Sequence, residues 1–87
     1  MQDAQWSLLT RYLVDRGWTC RNDTLYAPHE TMSFTTTEVH PDLALFRDRM
    51  SIAAEATAAY VAQSPGQSEL HDDLVSLVGA LGDLLDN

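Results

Sequence analysis

The residues best suited to chemistry are two histidines with neighbouring carboxylates. His29 is followed directly by Glu30, and His40 lies close to Asp42. Imidazole nitrogens and carboxylate oxygens bind divalent metals such as zinc, and a metal held this way activates water for hydrolysis. A small metal-dependent hydrolase that uses His29, Glu30, His40 and Asp42 is therefore one function that the sequence allows.

The separation of the two histidines argues against that site. The segment between them reads as a strand of about nine residues, which spans roughly 30 Å when fully extended. His29 or His40 would have to fold back before both could bind one metal ion. We therefore expect no bound metal, no other cofactor and no catalytic residue, with His29 in a turn and His40 capping a helix. His71 is expected to be a solvated helix residue beside two acids.

Cys20 is the only cysteine of the chain, so an intramolecular disulfide is excluded. A nucleophilic thiol needs a nearby base and a positive environment. Alternation along the predicted strand instead places Cys20 on the same apolar face as Trp18, which predicts a buried structural thiol. A reducing compartment fits this cysteine usage, and we expect a cytoplasmic protein.

Acidic residues give a further functional alternative. Their side chains could imitate the phosphates of DNA and occupy the basic groove of a nucleic-acid-binding protein. The structural alternative is a solvated helix face that keeps a small protein soluble. The acids concerned are Glu69, Asp72, Asp73, Asp83 and Asp86.

The elements that position these residues form one predicted α+β domain over residues 1–87. The expected order is α-β-β-β-α-α, with a three-strand antiparallel meander packed against helices and an antiparallel helix pair at the C-terminal end. Gly17 is placed to end the first helix in a left-handed conformation, and Asn22-Asp23 reads as a two-residue hairpin turn. The predicted bounds are helix 4–16, meander 18–39, long helix 41–63 and C-terminal helix 68–85.

The long helix is expected to be the element on which the others pack. Pro41 stands at its first position, and the segment Ser64-Pro65-Gly66-Gln67 reads as the break that follows it. Its main apolar stripe runs from Leu43 to Tyr60 at helical spacing. Four residues make a second and weaker stripe on a neighbouring face: Leu45, Ile52, Ala56 and Ala59.

The meander is expected to bury one of its faces against the helices. Alternation puts the Thr and Ser side chains of the third strand on the wet face. The side chains expected on the buried face are Trp18, Cys20, Met32 and Phe34.

The C-terminal helix carries the strongest apolar periodicity in the sequence. Its leucines recur at spacings of four and three residues, and neighbouring valines widen the stripe beyond what one partner helix covers. We therefore predict a homodimer in which these side chains form the protein interface. The interface residues expected are Leu70, Leu74, Leu77, Leu81 and Leu84.

Because of its charge balance, we expect this protein not to bind nucleic acids directly. Asp and Glu number 13 against 5 arginines, no lysine is present, and the formal net charge is −8. A phosphate backbone binds cationic side chains, and the long-range field of this chain repels it. The N-terminal residues lack a basic segment before an apolar run, and no apolar run is long enough to span a bilayer, so we expect neither a signal peptide nor membrane binding.

The order of the first five elements resembles the small acidic dimeric chaperones of bacterial secretion systems and related chaperone-like domains. Those chaperones carry further strands for which this chain has no room. The resemblance is one of architecture alone. Because no motif in the sequence specifies a reaction, we expect a protein-protein interaction module of bacterial or phage type, an adaptor, chaperone or inhibitor that binds a protein partner without catalysis.

Overall fold

A computed structural model describes residues 3–35, 37–39 and 42–86 of the protein, with the backbone alone for residues 3–5 and 65. Three helices and a three-stranded antiparallel sheet follow one another in the order α-β-β-β-α-α, which confirms the predicted α+β fold class. The elements are α1 (Asp3–Val14), β1 (Thr19–Arg21), β2 (Thr24–Tyr26), β3 (Ser33–Thr35), α2 (Leu43–Ala58) and α3 (Pro65–Asp86).

The first hairpin is set by two residues that accept a left-handed backbone. Asn22 and Asp23 have φ angles of 51° and 61°, and Asn and Asp tolerate this region better than most residues. Two consecutive residues with positive φ match the right-handed twist of the strands they join. The turn pairs Cys20 with Leu25, and Leu25 in turn pairs with Phe34 of the third strand.

The third strand is much shorter than the predicted run from Thr31 to Val39. It ends at Thr35, where the chain turns. The backbone N–H of Glu38 donates to the carbonyl oxygen of Thr35 at 3.1 Å, and the Glu38 carboxylate accepts from the N–H of Thr35 at 2.9 Å. These local bonds use the N–H and the carbonyl oxygen of Thr35, which a longer strand would need for hydrogen bonds to a neighbouring strand. Val39, after the turn, is buried in the core.

The two C-terminal helices begin and end at different residues from those predicted. The side chain of Asp42 caps α2 by accepting from the N–H of Leu45, whereas His40 and Pro41 lie outside the described residues. Helix α2 ends at Ala58, before the predicted Gln63, and the chain then continues in turns. The predicted breaker at residues 64–67 is instead the start of α3, because a proline is favourable at the first helical position.

The core lies around α3, which packs against both α1 and α2. This differs from the expectation that the long helix at residues 41–63 is the central element. Leu77 and Leu81 of α3 are fully buried, as are Leu9 and Leu13 of α1. None of the helices in the described part of the chain has the length and apolar composition needed to cross a bilayer.

An aromatic cluster joins the sheet to the helices, with Phe34 at its centre. The Phe34 ring centroid lies 6.3 Å from that of Trp6, 5.8 Å from that of Trp18 and 6.1 Å from that of Phe46. These separations are typical of edge-to-face and tilted aromatic pairs. Trp18 and Phe34 are buried as predicted, and Met32 is partly buried against the same core.

Cys20 is exposed, so the prediction of a buried thiol is wrong. Its strand, β1, lies at an edge of the sheet, and all three of its residues are exposed. Trp18 precedes this strand and is buried separately, where its indole N–H donates to Ser76 Oγ of α3 at 3.1 Å. Cys20 lies on the same face of the sheet as buried Leu25. It is nevertheless exposed, because the core is centred on Phe34 of β3, and β2 separates β3 from β1.

Replacement of Phe34 by Ala should lower the free energy of unfolding by about 3–5 kcal/mol, since it removes a large side chain from a packed aromatic cluster. Chemical denaturation followed by circular dichroism measures this loss. Ser33→Ala is the matched control, because Ser33 is the exposed neighbour on the opposite face of the same strand. A larger loss for Ser33→Ala than for Phe34→Ala would show that the strand register is wrong.

Candidate functional site

The structure separates the residues proposed for a metal-dependent hydrolase. The Asp42 side chain caps α2, and His40 lies outside the described residues. His29 is bound instead to Asp73 of α3. Over residues 3–35, 37–39 and 42–86 no group of three or more His, Cys, Asp and Glu side chains is arranged to hold a metal ion.

Asp73, His29 and Thr31 form a cluster that links α3 to the loop between β2 and β3; we call it the Asp73 cluster. Asp73 has an exposed fraction of 1%. Its Oδ2 accepts from Thr31 Oγ1 at 2.7 Å and from the backbone N–H of His29 at 3.3 Å. Its Oδ1 lies 2.8 Å from His29 Nδ1, which donates to the carboxylate. A buried carboxylate needs such partners, because an unpaired charge in the interior is strongly unfavourable.

The electrostatics of this cluster favour a protonated His29. The hydrogen bond to Asp73 raises the pKa of His29 above its ordinary value, and the negative charges of Asp73, Glu69 and Asp72 add to that effect. Partial removal from water lowers the pKa of His29; this effect is smaller than that of the hydrogen bond but larger than that of each neighbouring charge. The His29 side chain remains 43% exposed, so its ring is accessible to solvent on one side.

Sequence reasoning assigned Asp73 to the solvated acids of the third helix and did not connect it with His29. A signal was present in the spacing, because Asp73 follows Leu70 by three residues and precedes Leu77 by four. That places its side chain near the apolar seam of the helix. An acid at such a position predicts a buried carboxylate with partners, although the partners themselves lie more than 40 residues away in sequence.

A second histidine joins the two C-terminal helices. His71 Nδ1 donates to the carbonyl oxygen of Ala54 at 2.9 Å and lies 3.1 Å from Thr57 Oγ1. Thr57 Oγ1 also donates to the carbonyl oxygen of Ala54 at 2.9 Å. The prediction of a solvated His71 was therefore wrong, because the imidazole connects α2 to α3.

The five leucines predicted for a dimer interface lie mostly inside the single chain. Leu77 and Leu81 are fully buried and Leu74 has an exposed fraction of 5%. Leu70 and Leu84 are half-buried, and Leu84 packs against the core. The seam is used by α3 for its contacts with α1 and α2, so most of its surface is not accessible to a partner while the chain is folded.

Much of the apolar surface that remains accessible lies on and between α2 and α3, and Leu8 and Val14 of α1 are also exposed. We call the furrow between these helices the α2–α3 groove. It has a volume of about 270 Å³ and is lined by Ser51, Ala54, Glu55, Ala58, His71, Val75 and Val78. Val75 is 51% exposed at its edge, and Ile52 of α2 is 67% exposed. Large apolar side chains grouped in this way on a surface are typical of protein contact sites.

The second stripe predicted for the long helix also faces solvent. Leu45, Ile52, Ala56 and Ala59 are all exposed. A shallow cleft of about 470 Å³ lies beyond this stripe, at the end of α2, and includes the ring of Tyr60, which is 54% exposed. Apolar side chains of α2 are therefore exposed on its outward face as well as buried on its inward face.

Comparisons with protein-family models, with curated proteins and with solved structures found no match to this chain.

Replacement of Asp73 by Asn should lower the free energy of unfolding by about 1–3 kcal/mol, the usual range for hydrogen bonds to a buried charged acceptor. The amide keeps the shape of the carboxylate but turns one acceptor into a donor that faces other donors. Asp72→Asn is the matched control, because it removes the same charge from the exposed neighbouring position. Equal effects of the two changes in denaturant titrations would contradict a stabilising role for the cluster.

Stability should depend on pH through His29. Because its pKa in the folded protein is raised above 6.5, the stabilisation that protonation gives is fully present below 6.5 and is lost as pH rises through the folded-state pKa. Denaturant titrations between about pH 5.5 and about pH 8.5 should show a steeper fall for the wild type than for His29→Gln. If stability fell with pH to the same extent in both proteins, the contact with Asp73 would not be raising the pKa of His29.

Proposed function

We propose that the protein acts by binding another protein, without catalysis, as an adaptor, chaperone or inhibitor of bacterial or phage type. The observation that carries this proposal is the exposed apolar surface of α2 and α3, where Val75 is 51% exposed beside an apolar groove and Ile52 is 67% exposed on another face of α2. Leaving such side chains in water is unfavourable, and burying them against a partner recovers the hydrophobic free energy.

The polar clusters of the described residues support the same proposal. The Asp73 carboxylate is occupied by His29 and Thr31, and His71 is occupied by α2. Both clusters join parts of this chain to one another. A catalytic site needs polar groups directed into a cleft where a substrate can reach them. Here the groove between α2 and α3 is mainly apolar, and the buried polar side chains of the described residues have partners within the chain.

The alternative of a DNA mimic has less support. Of the five acids of the third helix, Asp73 is buried and Asp83 is paired with Arg16 of the loop after α1. Burial withdraws Asp73 from any row of surface charges, and the ion pair offsets the charge of Asp83, whose side chain is exposed. Glu69, Asp72 and Asp86 remain exposed. Imitation of a phosphate backbone needs a longer and more regular array of charge.

The metal-dependent hydrolase is the other alternative. It would have to bind a metal through the second ring nitrogen of His29, because Asp73 binds Nδ1. Asp42 would have to give up its hydrogen bond to the N–H of Leu45 at the start of α2. Binding through the second ring nitrogen would leave the Nδ1 bond to Asp73 in place, whereas the use of Asp42 would remove the cap of α2, and protein binding needs neither step.

A homodimer stays a prediction, but it would have to form through a surface other than the leucine seam of α3. Association through Leu74, Leu77 and Leu81 would open the core of each chain, because these side chains are buried. For the same reason Leu77→Asp would unfold the chain and cannot test association.

We also propose a cytoplasmic location, because the sequence holds a single cysteine, Cys20, and its thiol is exposed and free.

Affinity purification from the native source, combined with chemical cross-linking and quantitative mass spectrometry, tests protein binding. We expect one protein to be recovered in near-stoichiometric amount after nuclease treatment. The control bait is an unrelated folded protein of the same size and net charge. Failure to recover any protein specifically, together with hydrolytic activity that is lost in His29→Gln, would replace this proposal by the hydrolase.

A further inference from the structure

The shape of the α2–α3 groove follows from the side chains on its two walls. Helix α3 runs back along α2, so that His71 lies beside Ala54 and Thr57. Alanines at positions 54 and 58 of α2 are too small to fill the space opposite Val75 and Val78. The result is an open furrow with an apolar base, bounded by a rounded helix on each side.

The groove is formed before any partner binds. Ala54, at its base, has an exposed fraction of 8%, and its carbonyl oxygen accepts from both Thr57 Oγ1 and His71 Nδ1. These bonds hold the two walls in a fixed relation. A preformed site avoids the loss of conformational entropy that a site ordered by its ligand must overcome.

The charges along the groove are mainly acidic, with one cation near its end. Residues 50–87 contain six acids and neither Arg nor Lys. Glu55 lines the α2 wall, and Asp72 is exposed one helical turn before Val75 on α3. Arg47 lies one helical turn before Ser51 on the same face of α2, beyond one end of the groove, and Arg49 lies on another face. The field at the groove therefore attracts cationic side chains and repels anionic ones.

We propose that the α2–α3 groove binds an amphipathic helix of a partner protein, with the partner's apolar side chains in the groove and its Arg or Lys side chains beside Glu55 and Asp72. This inference rests on the proposed protein-binding function and names its surface and the chemistry of its partner. A helix fits because a furrow between two packed helices accepts a third cylinder, whose anchors recur at i, i+3 or i+4, and i+7.

A second copy of the chain fits this groove poorly. Each copy has a net charge of −8, and the exposed acids of one wall would lie against those of the other copy. Like charges brought together at an interface cost several kcal/mol and slow the encounter. The partner is therefore a different protein with a basic surface around its apolar anchors.

A displayed library of helical peptides of about sixteen residues, roughly four turns, tests the proposal without knowledge of the partner. Selection on the wild-type protein should enrich sequences with apolar residues at helical spacing and with Arg or Lys beside them. Their affinity should fall as salt is raised, because exposed charges contribute. Enrichment of acidic sequences, or of sequences with strand periodicity, would overturn the proposal.

Two variants with the same change of charge locate the binding surface. Val75→Lys places a cation at the groove, and Val14→Lys places one on α1, where the valine is 46% exposed. Both positions are exposed, so both variants should fold. We expect the selected peptides to bind Val75→Lys about tenfold or more weakly than Val14→Lys. Equal affinities would show that net charge alone attracts the peptides and would overturn the groove as their site.

Two further measurements separate this inference from the proposed function. Sedimentation equilibrium at micromolar concentration should give a mass that Val75→Lys does not change. A wild-type dimer that dissociates in Val75→Lys, but not in Val14→Lys, would make a second copy the occupant and overturn the proposal. If a protein partner from the native source binds Val75→Lys as well as wild type, protein binding stands and the groove assignment is wrong.

Discussion

The fold depends on one helix, α3, which packs against two neighbouring helices. Helix α3 packs against both α1 and α2, and its side chains Leu77 and Leu81 are fully buried between them. A chain of 87 residues has little further apolar surface with which to build a core. The leucine seam is therefore used within the chain, and what remains for a partner is the opposite face of α3 with the outer side of α2.

The Asp73 cluster extends the same helix to the sheet. A carboxylate near an apolar seam is unfavourable alone, and here three donors from residues 29–31 satisfy it. Since these donors lie in the loop between β2 and β3, the contact fixes how the second hairpin sits on α3. Phe34 in the adjacent strand then meets the aromatic rings of Trp6, Trp18 and Phe46.

The proposal of protein binding rests on the distribution of polar and apolar groups. Buried polar side chains such as Asp73 make contacts that join elements of the chain, whereas large apolar side chains such as Ile52 and Val75 face solvent. We propose that the apolar furrow of the C-terminal helices, with Glu55 and Asp72 beside it, is complementary to a basic amphipathic partner.

The sequence by itself determined the α+β class, the order of elements, the hairpin turn at Asn22-Asp23 and the burial of Trp18 and Phe34. These follow from local backbone preferences and from periodicity, which short segments carry by themselves. Only the tertiary structure decided that Cys20 is exposed, that Asp73 binds His29 and Thr31, and that Leu74, Leu77 and Leu81 belong to the core of one chain. Periodicity shows that a helix has an apolar face but not which element covers it, and the Asp73 cluster joins residues 44 positions apart. Burial depends on how elements distant in sequence pack together, and a local pattern contains no information about that packing.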